Sequence, residues 1–194
     1  MALDDAELVR RFQQGDSAAF EALVRRYQRD LFTFLVRFAG NREIAEDLFQ
    51  ETFVKVLQAL PAYREQGRFG PWLFGIANRV AVDAWRRERA RRRRVVQDPM
   101  AVDLAADPSL LPDRAVEQAQ LVRQVERVLA SLPEKQRRVF LLRQHGALSF
   151  KEIAGVTGEP LNTVLSHMHY AIARLRRLLE PAAESLGSSE RKGV

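Results

Sequence analysis

Seven arginines stand in the nine positions from 86 to 94, interrupted only by Glu88 and Ala90. Nine helical residues cover about 13 Å at roughly 1.5 Å each, and duplex DNA carries one phosphate charge per about 1.7 Å of axis. The two charge densities are comparable, so Arg86, Arg87, Arg91, Arg92, Arg93 and Arg94 have the chemistry of a phosphate grip. On a helix these cations point all round the axis, and Glu88 can offset only Arg91 or Arg92. Binding to a membrane surface would need an apolar face beside the charge, which the run lacks. Just upstream, Tyr63, Phe69, Trp72, Phe74 and Trp85 alternate with Arg64, Arg68 and Arg79. Aromatic rings beside cations can stack on unpaired bases, which charge alone cannot do. Each ring also has an ordinary role in a core, and Trp72 is expected to be half-buried.

A second group of residues has a different chemistry. Ser149 and Glu152 have the spacing of a capping box on a short helix, Gly158 supplies a turn, and Pro160 opens a longer helix. That order is a helix-turn-helix. On the long helix Leu161, Val164, Met168, Ile172, Leu175 and Leu179 form the expected inner stripe. Asn162, Ser166, His169, Tyr170, Ala173 and Arg177 face away, flanked by Thr163 and Arg174. Small polar groups near the start of such a helix suit base edges in the major groove. His167 and His169 are two residues apart and diverge on a helix, so no metal site is expected. Neither a glycine-rich phosphate loop, a nucleophile elbow nor an inward carboxylate pair occurs. The expectation is therefore a binding protein and not an enzyme, with no cofactor and no small-molecule substrate.

These groups need helices to hold them. Asp16 can cap a helix whose apolar residues Phe20, Leu23, Val24, Tyr27, Leu31, Phe34, Leu35 and Phe38 make one stripe. Gly40 stops it, and Asn41 can cap the next, where Ala45, Leu48, Phe49, Thr52, Val56 and Leu60 line the inner side. Glu46, Asp47, Gln50 and Glu51 cluster on the other. A third helix has Pro71 in its first turn, with Leu73, Ile76, Ala77, Val80 and Ala84 inward, and runs into the arginines. Residues 97–113 hold three prolines and four aspartates without a period, so they read as an acidic linker able to reach about 56 Å. Charge alternates along the chain: net −2 over residues 1–60, +7 over 61–97, −4 over 98–121 and +5 over 122–180. Two basic blocks predict two contacts with a polyanion. The 194 residues include no cysteine, and no apolar run approaches the roughly 20 residues that span a bilayer. The acidic start is unlike a secretory signal. A soluble, cytoplasmic, all-α protein of two small helical domains is expected: 5–96, the linker 97–113, and 114–180, with 181–194 as a frayed tail.

The blocks GDSAAFEALVRRYQ, AEDLFQETFVKVLQAL, FGPWLFGIANRVAVDAWRR, LPEKQRRVFLLR and LSFKEIAGVTGEPLNTVLSHMHYAIARLRRLL occur in an order that resembles the extracytoplasmic-function sigma factors of bacteria, over about residues 10–180. The resemblance implies a two-domain subunit (sigma domains 2 and 4) that binds core RNA polymerase and promoter DNA, often under an anti-sigma factor. It implies a polymerase-docking surface at Glu46, Asp47, Gln50, Glu51 and Phe53. For −10 recognition and melting it implies Tyr63, Arg64, Arg68, Phe69, Trp72, Asn78, Arg79, Asp83 and the arginines already named. For −35 recognition it implies Asn162, Thr163, Ser166, His167, His169, Tyr170, Arg174 and Arg177. Two departures stand out. Leu165 and His167 replace cations frequent in the family, and Asn78-Arg79 reverses a usual Arg-Asn order. A stand-alone regulator acting on operators keeps the helix-turn-helix but leaves the acidic surface and linker without a role. An adaptor with a merely solvated basic block leaves still more unexplained.

Overall fold

The computed structural model describes residues 3–64, 68–94 and 124–189, with 92–94 and 179–189 described by backbone alone. The arginines at 92–94 therefore contribute no side-chain geometry, and the predicted linker 97–113 lies outside the described residues. The helices are α1 Asp5–Gln13, α2 Ser17–Ala39, α3 Arg42–Ala59, α4 Phe69–Arg94, α5 at 124–130, α6 Glu134–His145, α7 Phe150–Thr157 and α8 Leu161–Ser189, with one 3₁₀ turn at Leu60–Ala62. No strand occurs among the described residues.

Local chemistry sets most of these boundaries. Asp4, Asp16 and Asn41 each accept a backbone N–H in the first turn of α1, α2 and α3, at 2.8, 3.0 and 2.9 Å, satisfying donors that a helix start leaves orphaned. Gly40 ends α2 in the left-handed region at φ 69°, a conformation that costs a side chain little only when there is none. Ser149 and Glu152 form both halves of the predicted capping box, and Gly158 turns the chain from α7 into α8 at φ 69°.

Helices α1 to α4 make one bundle, in which α2 meets α1, α3 and α4, and α6 to α8 make a second. The first core is Leu31, Phe34, Leu35, Phe38, Leu60, Leu73 and Phe74, all at most 1% exposed. The second centres on Leu141, Leu142, Leu148, Ile153 and Val164, each 0% exposed. The two bundles also touch, α2 against α6 and α4 against α7.

Three features differ from the sequence pattern. α1 is an unforeseen helix, anchored by the buried Leu8 and Val9. The inner stripe of α8 runs Val164, Met168, Ala171 and Leu175, while Leu161 and Ile172 stay 37% and 36% exposed. Ala171 is small enough to let α6 approach, which leaves Ile172 at the edge of the contact. Finally, α8 continues through Pro181 to Ser189, beyond the point where fraying is expected. A proline inside a helix removes one i→i−4 hydrogen bond but leaves the other turns intact.

Candidate nucleic-acid and polymerase interfaces

α4 leaves the first bundle as it reaches the arginines. Phe69 to Val82 are largely buried, whereas Arg86, Arg87, Arg89 and Arg91 are exposed. Helix geometry carries this charge away from the core without interrupting the backbone. Asp83 lies 3.9 Å from Arg86 and Glu88 lies 2.9 Å from Arg91. Arg87 reaches Glu51 of α3 at 4.0 Å. The Arg89 guanidinium sits 5.2 Å from the centre of the Trp85 ring, an attraction between a cation and the ring face. Exposed pairs of this kind hold their partners loosely, so a polyanion can take the arginines over.

At the other end of α4 the aromatic residues form a cluster. Tyr63 lies 4.5 Å from Trp72 and 5.9 Å from Phe69, ring centre to ring centre. Phe69 also packs on Tyr27 at 5.5 Å and is 2% exposed. Trp72 and Tyr63 are half-buried, and Arg64, Arg68 and Arg79 are exposed. Burial and a hydrogen bond to Asp5 push the Tyr27 hydroxyl well above the usual phenol range, so it stays protonated and ties α1 to α2. Asn78 is the unexpected member: it is 4% exposed, its Oδ1 is buried without a partner, and its Nδ2 donates to the carbonyl of Val156 at 3.5 Å.

On α3, Glu46, Asp47 and Gln50 are exposed and Glu51 is half-buried. Arg42 holds Glu46 at 3.0 Å, and Lys55 holds Glu51 at 2.9 Å. Glu51 thus leans toward α4, while Glu46 and Gln50 line an open groove of about 440 Å³ with Gln28, Arg29, Phe32 and Phe49. Phe53 packs edge-on against Phe49 at 4.9 Å.

On α8, Asn162, Ser166, His169, Tyr170 and Arg177 are exposed, and Thr163 and Arg174 are half-buried. Tyr170, 58% exposed, borders a groove with Gln136, Ala173, Arg174 and Arg177. Leu165 lies on the same outer side at 40% exposure. His167 is set differently, with Nε2 lying 3.4 Å from Glu159 in the turn between α7 and α8. Glu159 also takes Lys135 at 2.9 Å and Arg138 at 3.4 Å, and Arg138 reaches Glu134 at 3.5 Å. No short-range signal announces this clamp, because its members come from the start of α6, the turn and α8. Among the described residues no three histidines or carboxylates gather as a metal site, and no helix is long and apolar enough to cross a membrane.

Residues 23–91 match the family Sigma-70 region 2, and residues 122–175 match Sigma-70, region 4. The RNA polymerase sigma-H factor of Pseudomonas aeruginosa is 32% identical over 185 residues, covering 91% of this chain and 94% of that protein. The chain belongs to the sigma-70 family of RNA polymerase sigma factors. The extracytoplasmic-function sigma-E factor of Escherichia coli K12 is 30% identical across 92% of this chain and 96% of its own length, which places the sigma factor in that branch. Two solved structures share the fold: CnrH in complex with the cytosolic domain of CnrY, at 24% identity, TM-score 0.66 and 91% and 97% coverage, and the sigma factor RpoE in complex with the anti-sigma factor NepR from Bartonella quintana, at 21%, 0.64 and 83% and 96%. The sigma factor is thus a two-part, all-α transcription initiation factor that binds core RNA polymerase and directs it to promoters. Nothing in these relatives favours a regulator that works without polymerase.

Proposed function

We propose that this sigma factor divides promoter recognition between the start of α4, the arginines at its far end, and the outer side of α8. The observation that carries the reading is the single helix α4, which joins the Tyr63, Phe69 and Trp72 cluster to an exposed arginine run. Such a helix can hold unpaired bases at one end and duplex phosphates at the other. Tyr63, Arg64, Arg68, Trp72, Asn78 and Arg79 take the melted −10 strand. Asp83, Arg86, Arg87 and Arg91–Arg94 lie along the adjoining duplex. Asn162, Thr163, Ser166, His167, His169, Tyr170, Arg174 and Arg177 read the −35 element, with the exposed Leu165 adding an apolar contact where the family frequently has a cation. Glu46, Asp47, Gln50, Glu51 and Phe53 meet polymerase, and the Phe32–Phe49 groove beside them supplies apolar surface for the same partner. The functional units are 5–96 and 114–180, with 97–113 as linker and 181–194 as a terminal extension. The protein works in the cytoplasm beside polymerase and makes or breaks no bond itself. An anti-sigma factor is its expected partner, as the anti-sigma factor NepR is for RpoE in the solved complex of similar fold.

The test is promoter binding by polymerase carrying the sigma factor over a range of salt. Each phosphate contact adds about 0.9 to the slope of log affinity against log salt, so Arg91→Ala through Arg94→Ala together should flatten the slope by about 3.6. Discrimination between promoter sequences should be unchanged, since phosphate contacts carry no sequence information. An unaltered slope rules out the arginine run as a phosphate contact.

A further inference from the structure

α1 precedes residues 23–91, the part of the chain that matches region 2, and carries none of the residues assigned to promoter or polymerase. It nevertheless reaches the −10 surface from both of its ends. At the C-terminal end, Gln13 Nε2 donates to the Leu60 carbonyl at 3.1 Å and to the Tyr63 carbonyl at 2.8 Å. One carbonyl stands at the start of the 3₁₀ turn and the other just after it, so a single amide spans the turn. Only the nitrogen end of an amide has the two donors that such a pair of acceptors needs. At the N-terminal end, Asp5 accepts from the Tyr27 hydroxyl. The Tyr27 ring packs on Phe69 at 5.5 Å and lies against Gly70, where an added Cβ would be 3.5 Å from it. Residues 60–63 lead out of α3 and Phe69 opens α4, so α1 braces both sides of the connection between them.

The brace is itself firmly held. Leu8 and Val9 are 3% and 4% exposed, Phe12 packs on Phe20 at 5.5 Å, and Phe20 meets Phe53 of α3 at 6.3 Å. Beyond Gln13, the N–H groups of Gln14, Gly15 and Asp16 donate back to the carbonyls of Arg10, Phe12 and Arg11 at 2.9 to 3.1 Å. Gln13 thus presents its amide from a fixed backbone. The turn it holds has weaker means of its own, because short 3₁₀ pieces have poor hydrogen-bond geometry and Pro61 brings no N–H. Leu60 is fixed by complete burial, whereas Tyr63 is extended, at φ −64° and ψ 133°, and half-buried. We propose, resting on the −10 assignment of Tyr63, that Gln13 is a positioning residue for strand capture: its amide fixes the Tyr63 backbone and so holds the ring ready for an unpaired base. Gln13 is exposed, so water competes for its hydrogen bonds and they add little to global stability. Their effect falls on binding. A ring already in place spares the cost of ordering it when the base arrives, and a site that is competent part of the time binds in proportion to that fraction.

The test takes the full-length sigma factor on core polymerase and measures its affinity for two single strands of equal length. One carries the −10 bases of a promoter that it opens, and the other has those bases replaced. Phosphate contacts are common to both strands, so the ratio of the two affinities is insensitive to charge. Gln13→Met keeps the length of the side chain and removes both donors. It should lower the ratio about fivefold while the urea midpoint of the free protein stays nearly unchanged. Gln13→Lys restores donors of similar reach and should return the ratio toward the wild-type value. Tyr63→Ala should lower the ratio as well, and adding Gln13→Met to it should lower it no further, since the amide acts through that residue. A wild-type ratio in Gln13→Met, or full additivity with Tyr63→Ala, overturns the proposal. A fall in the ratio matched by a fall in stability makes Gln13 a structural residue only and overturns it too. If Tyr63→Ala leaves the ratio unchanged, the −10 assignment fails and the proposal with it, whereas failure of Gln13→Met alone leaves that assignment standing.

Discussion

His145 closes α6 and faces Arg37 of α2 across the two bundles. Burial first, and then the Arg37 charge, hold its imidazole down to about 4 from an ordinary 6.5, with Asp30 on α2 opposing weakly. The folded protein therefore refuses a proton that the unfolded chain accepts, so this contribution to stability is complete above the unfolded value and is lost as pH falls from about 6.5 toward 4. Between pH 7 and pH 5 the full shift amounts to about 2 kcal/mol. Part of the ring stays in contact with water, and screening there reduces the figure to about 1 kcal/mol. The assay is urea unfolding at pH 7, 6 and 5 for wild type and His145→Asn. The two proteins differ at His145 alone, so the difference between the curves isolates it. Wild type should lose about 1 kcal/mol more than the variant by pH 5. Protonation also sets two cations against each other across the α2–α6 contact. Parallel loss of stability in wild type and His145→Asn refutes the reasoning.

The clamp at the helix-turn-helix should be the more costly one to break. Glu159→Ala leaves Arg138, whose side chain is 8% exposed, with Glu134 alone. The uncompensated charge should lower stability by about 2 kcal/mol in urea unfolding, while release of His167 alters −35 selectivity. Two glycines separate crowding from backbone strain. Gly146 has an ordinary φ of −79°, but a Cβ there would lie 2.7 Å from the Leu142 carbonyl and 2.5 Å from Leu148 Cδ1. Gly146→Ala should therefore cost about 1–3 kcal/mol by overpacking. Gly158 has open space around it but sits at φ 69°, so Gly158→Ala should cost only about 1 kcal/mol. Thermal melts of both variants check the order.

What the sequence displays best is what depends on neighbours along the chain. The caps at Asp16, Asn41 and Ser149 and the turns at Gly40 and Gly158 are decided within four residues. The stripes of α2 and α3 are decided by spacing alone. The stripe of α8 was less legible because Ala171 and Ile172 are adjacent and pattern reasoning favours the larger side chain, whereas the α6 contact selects the smaller. α1 carries only two buried residues over nine, too few to form a periodic signal. Exposure of the α8 polar residues follows from the same spacing. The position of His167 does not, since Glu159 lies outside the helix and is fixed by Lys135 and Arg138.

The contact between the bundles was the least legible feature, as Arg68 and Glu152 lie 84 positions apart and each has a sufficient local reason to be there. Glu152 completes a capping box, and Arg68 belongs to a basic block. Burial first pushes the Glu152 carboxyl up, but Arg68 and the Ser149 N–H outweigh it and hold the group down to about 2. The carboxylate thus remains charged and available to either partner. The polar part of the contact is weak. The Arg68 side chain is 62% exposed, and an ion pair that wet contributes about 0–1 kcal/mol. Asn78 brings one long hydrogen bond and leaves its Oδ1 buried and unpaired, a penalty of about 1–3 kcal/mol that the apolar packing of Phe74, Gly75 and Val156 must offset. Exposing that oxygen to water would relieve the penalty. Asn78 therefore weakens the contact between α4 and α7 that it helps to make.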